Sequence, residues 1–425
     1  MDEQQINPIG MCYTWGTDEQ PCGILRTDRR HHLYVLGKTG SGKTTLLRNL
    51  ILQDIMDGEG VGVIDPHGDL AEDLLNHIPS ARTDDLVYFN PADTEFPIGF
   101  NVFHNVPKER RHLVASGLVN SFKSIWRDSW GPRLEYILYA ATAALLDCPN
   151  TSLLGVQRML VNQRYRNWVV KQVEDPIVRG FWLHEFARYD PKFLREAIAP
   201  IQNKVGQLLM APIVRNILGQ VRTKVDPRFM MDDGRLFIAN LSKGKLGEEK
   251  SNLLGSILTT QFQLAALSRA DVPENRRRDF FLHVDEFQNF TTDSFAGILA
   301  EARKYRLCLT LSHQYTGQLS EELRKAVFGN VASMVVFRVG YEDAEILEQE
   351  FSHAFHAGEF IDLPKFEVLM KLSVDGRASW RRAKALPPLS NHCGRRENLI
   401  RRSREKYARP RALVEEKIMR WMRRA

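Results

Sequence analysis

The segment from Gly37 to Thr44 constrains the fold of this chain more than any other feature. It fits the pattern Gly-x4-Gly-Lys-Ser/Thr, and it lies between the apolar run 33–36 and a helical pattern that starts at Lys43. Glycines in such a loop let backbone N–H groups and a helix N-terminus face phosphate oxygens, while the lysine neutralises the β- and γ-phosphates and the threonine hydroxyl holds Mg²⁺. The predicted nucleotide-binding residues here are Gly37, Lys38, Thr39, Gly40, Ser41, Gly42, Lys43, Thr44 and Thr45.

Short apolar runs alternate with helical patterns in two separate parts of the chain. This alternation predicts a mainly parallel sheet with helices on both faces. The expected strands are 33–36, 61–64, 86–89, 236–241, 280–284, 307–311 and 334–337. Between these two parts, helical spacing takes over, as in Leu134, Ile137, Leu138, Ala141 and Leu145, which would share one helix face. The sequence therefore predicts an α/β fold interrupted by an inserted all-α domain.

Five segments follow from these patterns. We expect an N-terminal loop segment at 1–30, the α/β domain at 31–106 and 233–376, the all-α insertion at 107–232, and a basic tail at 377–425. The tail holds 16 Lys and Arg against four Glu, a net charge of +12. The rest, with 42 Lys and Arg against 48 Asp and Glu, carries −6 of the total +6.

The chain shows no signal for membrane insertion or export. Its longest near-continuous apolar run, 136–146, is about half of what a membrane-spanning helix needs. The acidic N-terminus does not fit a signal peptide. The five scattered cysteines indicate neither a disulfide framework nor a zinc site. We expect a cytoplasmic protein, with peripheral attachment to the inner face of the membrane only through a partner.

Polar residues follow four of the predicted strands. Asp285 and Glu286 end the strand 280–284, where Asp285 would hold Mg²⁺ through water and Glu286 would act as the general base. Gln314 follows the next strand and could contact the γ-phosphate, although an amide that caps a loop is the alternative. Arg338 follows the last one, as a second phosphate sensor or an ordinary surface arginine. Asp65 is a weaker candidate beside the nucleotide.

Three further features allow two or more interpretations. Arg303 is either an arginine that enters a neighbouring subunit's site or one that offsets its own helix dipole. Lys243 and Lys245, in a Gly-containing segment, are either DNA-backbone contacts or part of a solvated turn. The tail has a basic amphipathic pattern, with Val414 and Ile418 on the apolar face, that suits a neighbouring subunit, nucleic acid or anionic lipid.

Taken together, five motifs resemble one class of proteins, the TraD/TraG-class type IV secretion coupling ATPases of the HerA/FtsK superfamily. These motifs are 37–44, 63–69, 284–288, 303–305 and 312–314, and the resemblance runs over about 33–340. It implies a RecA-like motor that uses ATP and Mg²⁺, forms a homo-hexameric ring and threads DNA, often double-stranded, without sequence specificity. It also favours Arg303 as the arginine finger. Membrane-bound coupling proteins generally begin with membrane helices, and we expect none ahead of the phosphate loop here.

The resemblance implies a DNA-translocating motor of a conjugation or type IV secretion-like system, in which a membrane-bound secretion component would be a partner. A HerA-like translocase that works with a nuclease in repair or anti-phage defence is the second hypothesis. A nucleotide-dependent switch or scaffold, or an ATPase that moves proteins, is the third. Glu286 argues against a switch that cannot hydrolyse ATP.

Overall fold

The computed structural model describes residues 5–12, 19–292, 295–374, 376–390 and 392–423. The chain divides into two compact units. The sheet unit comprises Met1–Tyr88, Arg228–Asn240 and Ala265–Ile400, and the helical unit comprises Phe89–Pro227, Leu241–Leu264 and Arg401–Ala425. The boundaries expected for the all-α insertion, 107 and 232, stay a prediction.

One sheet with eleven strands organises the sheet unit. The strands are β1 (Ile6–Cys12), β2 (Gln20–Leu25), β3 (Leu33–Leu36), β4 (Gly60–Asp65), β5 (Leu86–Phe89), β6 (Leu236–Asn240), β7 (Phe280–Val284), β8 (Leu307–His313), β9 (Ser333–Val336), β10 (Glu367–Val374) and β11 (Arg377–Ala385). Their order is β2-β1-β11-β10-β9-β3-β8-β7-β4-β6-β5. The strands from β9 to β6 in this order pair in parallel, which confirms the predicted mainly parallel sheet.

Four antiparallel strands extend one edge of this sheet. Strand β10 pairs with β9 and β11, and β1 pairs with β11 and β2. The expectation that 1–30 is only loop is therefore wrong, and so is the expectation that the tail begins at 377. Polar and charged residues dominate β11, so its composition resembles a solvated tail, but backbone hydrogen bonds to β1 and β10 hold it in the sheet.

Helices flank the sheet and build the helical unit. They are α1 (Lys43–Met56), α2 (Asp69–Leu74), α3 (Arg111–Ile125), α4 (Pro132–Leu146), α5 (Leu154–Val161), α6 (Gln163–Val170), α7 (Pro176–Gly180), α8 (Pro191–Ile201), α9 (Gln207–Met210), α10 (Pro212–Leu218), α11 (Pro227–Asp233), α12 (Lys243–Leu246), α13 (Glu248–Ser268), α14 (Phe295–Glu301), α15 (Glu321–Asn330), α16 (Tyr341–Glu350), α17 (Ala357–Ile361), α18 (Arg396–Tyr407) and α19 (Arg411–Arg423). Within the described residues, no helix has the length and apolarity to cross a membrane.

Helix α1 anchors the phosphate loop in the core of the sheet unit. Leu47 and Ile51 belong to an apolar cluster with strands β4 and β6, whereas Leu46 and Leu50 belong to a second cluster with β3, β9 and β10. All four side chains are almost fully buried. Because α1 is apolar on these faces, it packs firmly against the sheet and fixes the position of the loop that precedes it.

The helical unit buries the helix faces that the sequence patterns indicated. The apolar face predicted around Leu134 and Leu145 is buried in α4. Helix α8 begins after Asp190, whose carboxylate accepts the backbone N–H groups of Lys192 and Phe193, a common N-cap arrangement. Regular capping and apolar periodicity therefore explain much of this unit.

Helix α19 packs on its own unit. Val414 and Ile418 are buried, and the Trp421 indole N–H donates to the carbonyl oxygen of Asn150 at 3.0 Å. The guanidinium of Arg158 lies over the Trp421 ring. The apolar face that could have covered a neighbouring subunit is thus already occupied, which corrects that interpretation of the tail.

Two local features differ from the sequence-based expectation. Lys243 and Lys245 lie in the short helix α12, whereas one interpretation of the sequence was a solvated turn. Cys12 and Cys22 form a disulfide between β1 and β2, although their spacing alone did not suggest one.

Candidate nucleotide-binding site

The loop between β3 and α1 curls around the Lys43 side chain. Its ammonium donates to the carbonyl oxygens of Gly37 and Lys38, the latter at 3.3 Å. Gly40 and Gly42 have φ values of +74° and +125°, a region that disfavours residues with a Cβ. A Cβ at Gly40 would meet no atom within 4 Å, so space is open beside the loop. This geometry suits an anion that is held by backbone N–H groups.

The two carboxylates lie at the end of β7 and have different hydrogen-bond partners. Asp285 Oδ1 accepts the Ser312 hydroxyl at 2.8 Å and the backbone N–H of Glu286 at 3.1 Å. The Glu286 oxygens accept the side-chain amides of Gln314 at 3.1 Å and Gln288 at 2.8 Å. Glu286 has φ 44° and ψ 51°, a left-handed conformation that non-glycine residues adopt rarely and that often occurs at functional sites. Its side chain is therefore held firmly by neighbours.

The electrostatics link these carboxylates to the phosphate loop. Burial lowers the pKa of Lys43, while the charges of Glu286 and Asp285 oppose this shift. Burial is also the main reason why the pKa of Asp285 rises to about 6, and the neighbouring charge of Asp65 adds to the increase. A buried cation and two buried carboxylates thus share one region, as they would around a magnesium-bound phosphate.

Sheet topology explains why residues so distant in sequence meet here. Strands β3, β8 and β7 are consecutive neighbours and run in parallel. Leu36 pairs with His313, and Val284 pairs with Leu311, so the residues that follow each strand emerge at the same edge. Polar residues at the carboxyl edge of a parallel sheet form the usual ligand site of such folds.

The remaining predicted site residues occupy different positions. Asp65 accepts the backbone N–H groups of His67 at 2.8 Å and Ala71 at 2.9 Å, so its carboxylate orders the turn that leads into α2. Arg338 is exposed, and its carbonyl oxygen accepts the Lys38 N–H at 2.9 Å, which places its backbone directly beside the phosphate loop. Arg303 is exposed in the turn after α14. Burial lowers the pKa of His31, and the nearby charge of Arg303 adds to this decrease.

Lys243 and Lys245 belong to the helical unit, and the Lys243 ammonium lies 3.2 Å from a carboxylate oxygen of Glu248. Their role in DNA contact remains a prediction.

Two residues of the site were not assigned a role from the sequence. Ser312 and Gln288 bind the two carboxylates directly. Gln288 lies two positions after Glu286, a local signal that could have been used. Ser312 could be found only with the order and register of β7 and β8, because it follows Leu311, the partner of Val284.

The residues present fit a magnesium-bound triphosphate. The Ser312 hydroxyl and the Glu286 N–H both donate to Oδ1 of Asp285, and neither donates to Oδ2. Thr44 is exposed at the start of α1, and the Ser41 hydroxyl is buried with no hydrogen-bond partner among the described atoms. Hydroxyl and carboxylate oxygens are ligands that Mg²⁺ prefers. An orphaned hydroxyl inside the loop is the kind of group that a phosphate would satisfy.

Comparisons with known proteins show similarity for the phosphate loop and for the fold. Residues 21–114 match the family model described as "Helicase HerA, central domain". A comparison with curated proteins gives no match. The matched segment contains the phosphate loop, α1 and β4. The family model therefore covers the phosphate-binding residues of the site but not Asp285, Glu286 and Gln314.

Solved structures then identify particular proteins with the same fold. The unbound bacterial conjugative coupling protein TrwBdeltaN70 has a TM-score of 0.61 and 18% identity, over 88% of each chain. TrwB in complex with ADP and Mg²⁺ has a TM-score of 0.62 and 16% identity, again over 88% of each chain. VirB4 of Thermoanaerobacter pseudethanolicus has a TM-score of 0.58 and 16% identity, over 90% of this chain and 96% of that one. These matches confirm the predicted resemblance in fold to a conjugative coupling protein, and so the RecA-like fold.

Proposed function

We propose that this protein is an ATP-driven motor of a conjugation or type IV secretion-like system. The observation that carries the proposal is the meeting of Lys43, Asp285, Glu286 and Gln314 at one edge of three adjacent parallel strands. TrwB, which shares the fold, has been solved with ADP and Mg²⁺. These four residues would supply a cation, a metal ligand, a general base and an amide, which are the groups that P-loop ATPases use to hydrolyse ATP.

The residues would divide the chemistry as follows. Lys43 and the loop N–H groups bind the β- and γ-phosphates, and Thr44 and Asp285 hold Mg²⁺, which supplies charge neutralisation when bound. Glu286 accepts a proton from the water that attacks the γ-phosphorus, and ADP leaves with the bridging oxygen. Gln314 donates to the same carboxylate at 3.1 Å, so a change at the γ-phosphate would alter this hydrogen bond.

Oligomerisation and DNA form the second part of the proposal. We infer a homo-oligomer of six subunits, the number implied by the resemblance to coupling ATPases. In this ring Arg303 of one subunit reaches the nucleotide of the next. The exposure of Arg303 leaves it accessible for that contact. Double-stranded DNA would pass through the ring, and Lys243 and Lys245 would contact its backbone without reading its sequence.

ATP turnover with and without duplex DNA, measured over a series of salt concentrations, tests the proposal. We expect DNA to raise the rate at low salt and the stimulation to fall as salt rises, because backbone contacts release counterions. Particle imaging of the same samples should show rings. A rate that DNA leaves unchanged at every salt concentration would exclude DNA as the transported substrate.

Two variants test the site itself. Lys43→Ala should abolish ATP binding, and Glu286→Gln should bind ATP but hydrolyse it about 10² to 10⁴ times more slowly. Lys325→Ala is a suitable control, because Lys325 is exposed in α15, where it pairs with Glu321. Wild-type affinity in Lys43→Ala would contradict the assigned phosphate site.

The match to the HerA central domain supports a second candidate, a DNA translocase that acts together with a nuclease. Copurification of a nuclease, with DNA degradation that requires ATP, would favour it over a role in secretion.

A further inference from the structure

An exposed phenylalanine lies beside the phosphate loop. Phe366 directly precedes β10, and its side chain is 44% exposed. Its φ of +68° is a left-handed conformation that is rare for a large side chain. Such strained residues persist when the surrounding structure holds them, and they occur often where ligands are bound. None of the roles assigned above explains this residue.

Two hydrogen bonds fix the backbone of Phe366. Its N–H donates to the carbonyl oxygen of Ser41 in the phosphate loop at 3.2 Å, and its own carbonyl oxygen accepts the N–H of Ala385 in β11 at 2.7 Å. Its ring lies against Gly42, where an added Cβ would come within 3.2 Å of the Phe366 ring. The ring is therefore held next to the residue that precedes α1.

The order of the strands shows which part of a nucleotide would reach this ring. Strand β3, which leads into the phosphate loop, has β8 and β7 on one side and β9 and β10 on the other. Asp285 and Glu286 follow β7, so the γ-phosphate and its metal belong on that side. The α-phosphate and the nucleoside would then extend to the other side, toward β9 and β10. Phe366, at the start of β10, lies where the nucleoside would leave the loop.

We propose that Phe366 is the stacking surface for the base of the bound nucleotide. This inference rests on the proposed nucleotide function and adds the contact that recognises the nucleoside. Stacking on an aromatic ring suits any base, because every base has a π-face. The Lys365 ammonium lies 4.8 Å from the ring centroid, so the base stacks on the opposite face or displaces this flexible side chain.

Binding of ATP and of inorganic tripolyphosphate to the same variants tests the proposal, because only ATP carries a base. Phe366→Gly should weaken ATP binding about 5- to 150-fold, the range for loss of one base–aromatic stack. Its affinity for tripolyphosphate should stay within about twofold of wild type. Phe366→Trp should keep ATP affinity. Glycine is chosen because it adopts positive φ without strain, and thermal unfolding verifies that the fold is kept.

Phe229→Ala is the matched control. Phe229 is also an exposed phenylalanine, at 54%, but it lies in α11, which precedes β6 and so is at the edge of the sheet opposite to the phosphate loop. Equal loss of ATP and tripolyphosphate affinity in Phe366→Gly would show that the ring only shapes the loop, and unchanged ATP affinity would show that the base binds elsewhere. Either result overturns the proposal. If the wild-type protein binds neither compound, the proposed nucleotide function fails as well. If the wild type hydrolyses ATP and Phe366→Gly binds ATP with wild-type affinity, only the role of Phe366 is refuted.

Discussion

Replacement of Asp285 by Asn should stabilise the protein in the absence of nucleotide, even though it impairs the site. The Asp285 carboxylate is 7% exposed, and burial raises its pKa from 3.8 to about 6. A raised carboxyl pKa means that the folded state disfavours the charged form. Below pH 3.8 the carboxyl group is protonated in both states, and its contribution to the free energy of unfolding is fully present. This contribution is lost as the pH rises through 6, because the buried group then has to ionise.

The size of the effect follows from the shift. At about 1.4 kcal/mol per pKa unit, the ionised carboxylate costs about 3 kcal/mol at pH 8, about 1.6 kcal/mol at pH 5 and about 0.6 kcal/mol at pH 4. Asn removes the charge and keeps an oxygen that can accept the Ser312 hydroxyl and the Glu286 N–H. In domains of this size about 1 kcal/mol changes the Tm by about 2 to 4 °C, so the variant should melt several degrees higher at pH 8.

Thermal unfolding followed by circular dichroism at these three pH values, without nucleotide or Mg²⁺, measures the difference. The control is Asp362→Asn, because Asp362 is exposed and its replacement should leave Tm unchanged. Mg²⁺ with ATP should stabilise the wild type more than Asp285→Asn. A variant that melts below the wild type at pH 8, or a difference that does not depend on pH, would refute the reasoning.

Two further predictions concern the subunit contact and the C-terminal helix. Arg303→Ala and Glu286→Gln subunits, each inactive alone, should recover part of the ATPase rate when mixed, because some interfaces then contain both intact groups; intact rings without recovery would contradict action across subunits. Ile418→Ala should lower the free energy of unfolding by about 2 to 5 kcal/mol, because the side chain is 5% exposed and packs against the Gly219 region. Met419→Ala, at a 52% exposed neighbour, should change it little, and equal effects of the two variants would show that α19 is not packed as described.

Much of the sheet unit could be predicted because its signals are local. The strands β3 to β9 are short apolar runs, and each was expected at nearly its observed position. The Gly37–Thr44 motif, α1 and the pair Asp285 and Glu286 are likewise segments that can be read without knowledge of their neighbours. The rule that parallel strands end at one edge then brings these segments together.

Only the tertiary structure shows which distant segments pair with each other. Gly10 pairs with Ala385 across nearly the whole sequence, and neither β1 nor β11 has an apolar pattern strong enough to announce a strand. The hydrogen bond between Ser41 and Phe366 and the contact between Asp285 and Ser312 also join residues that no spacing rule connects. Local periodicity and turn chemistry specify what each segment becomes, but the order and register of strands specify which side chains meet, because these depend on burial summed over the complete sheet.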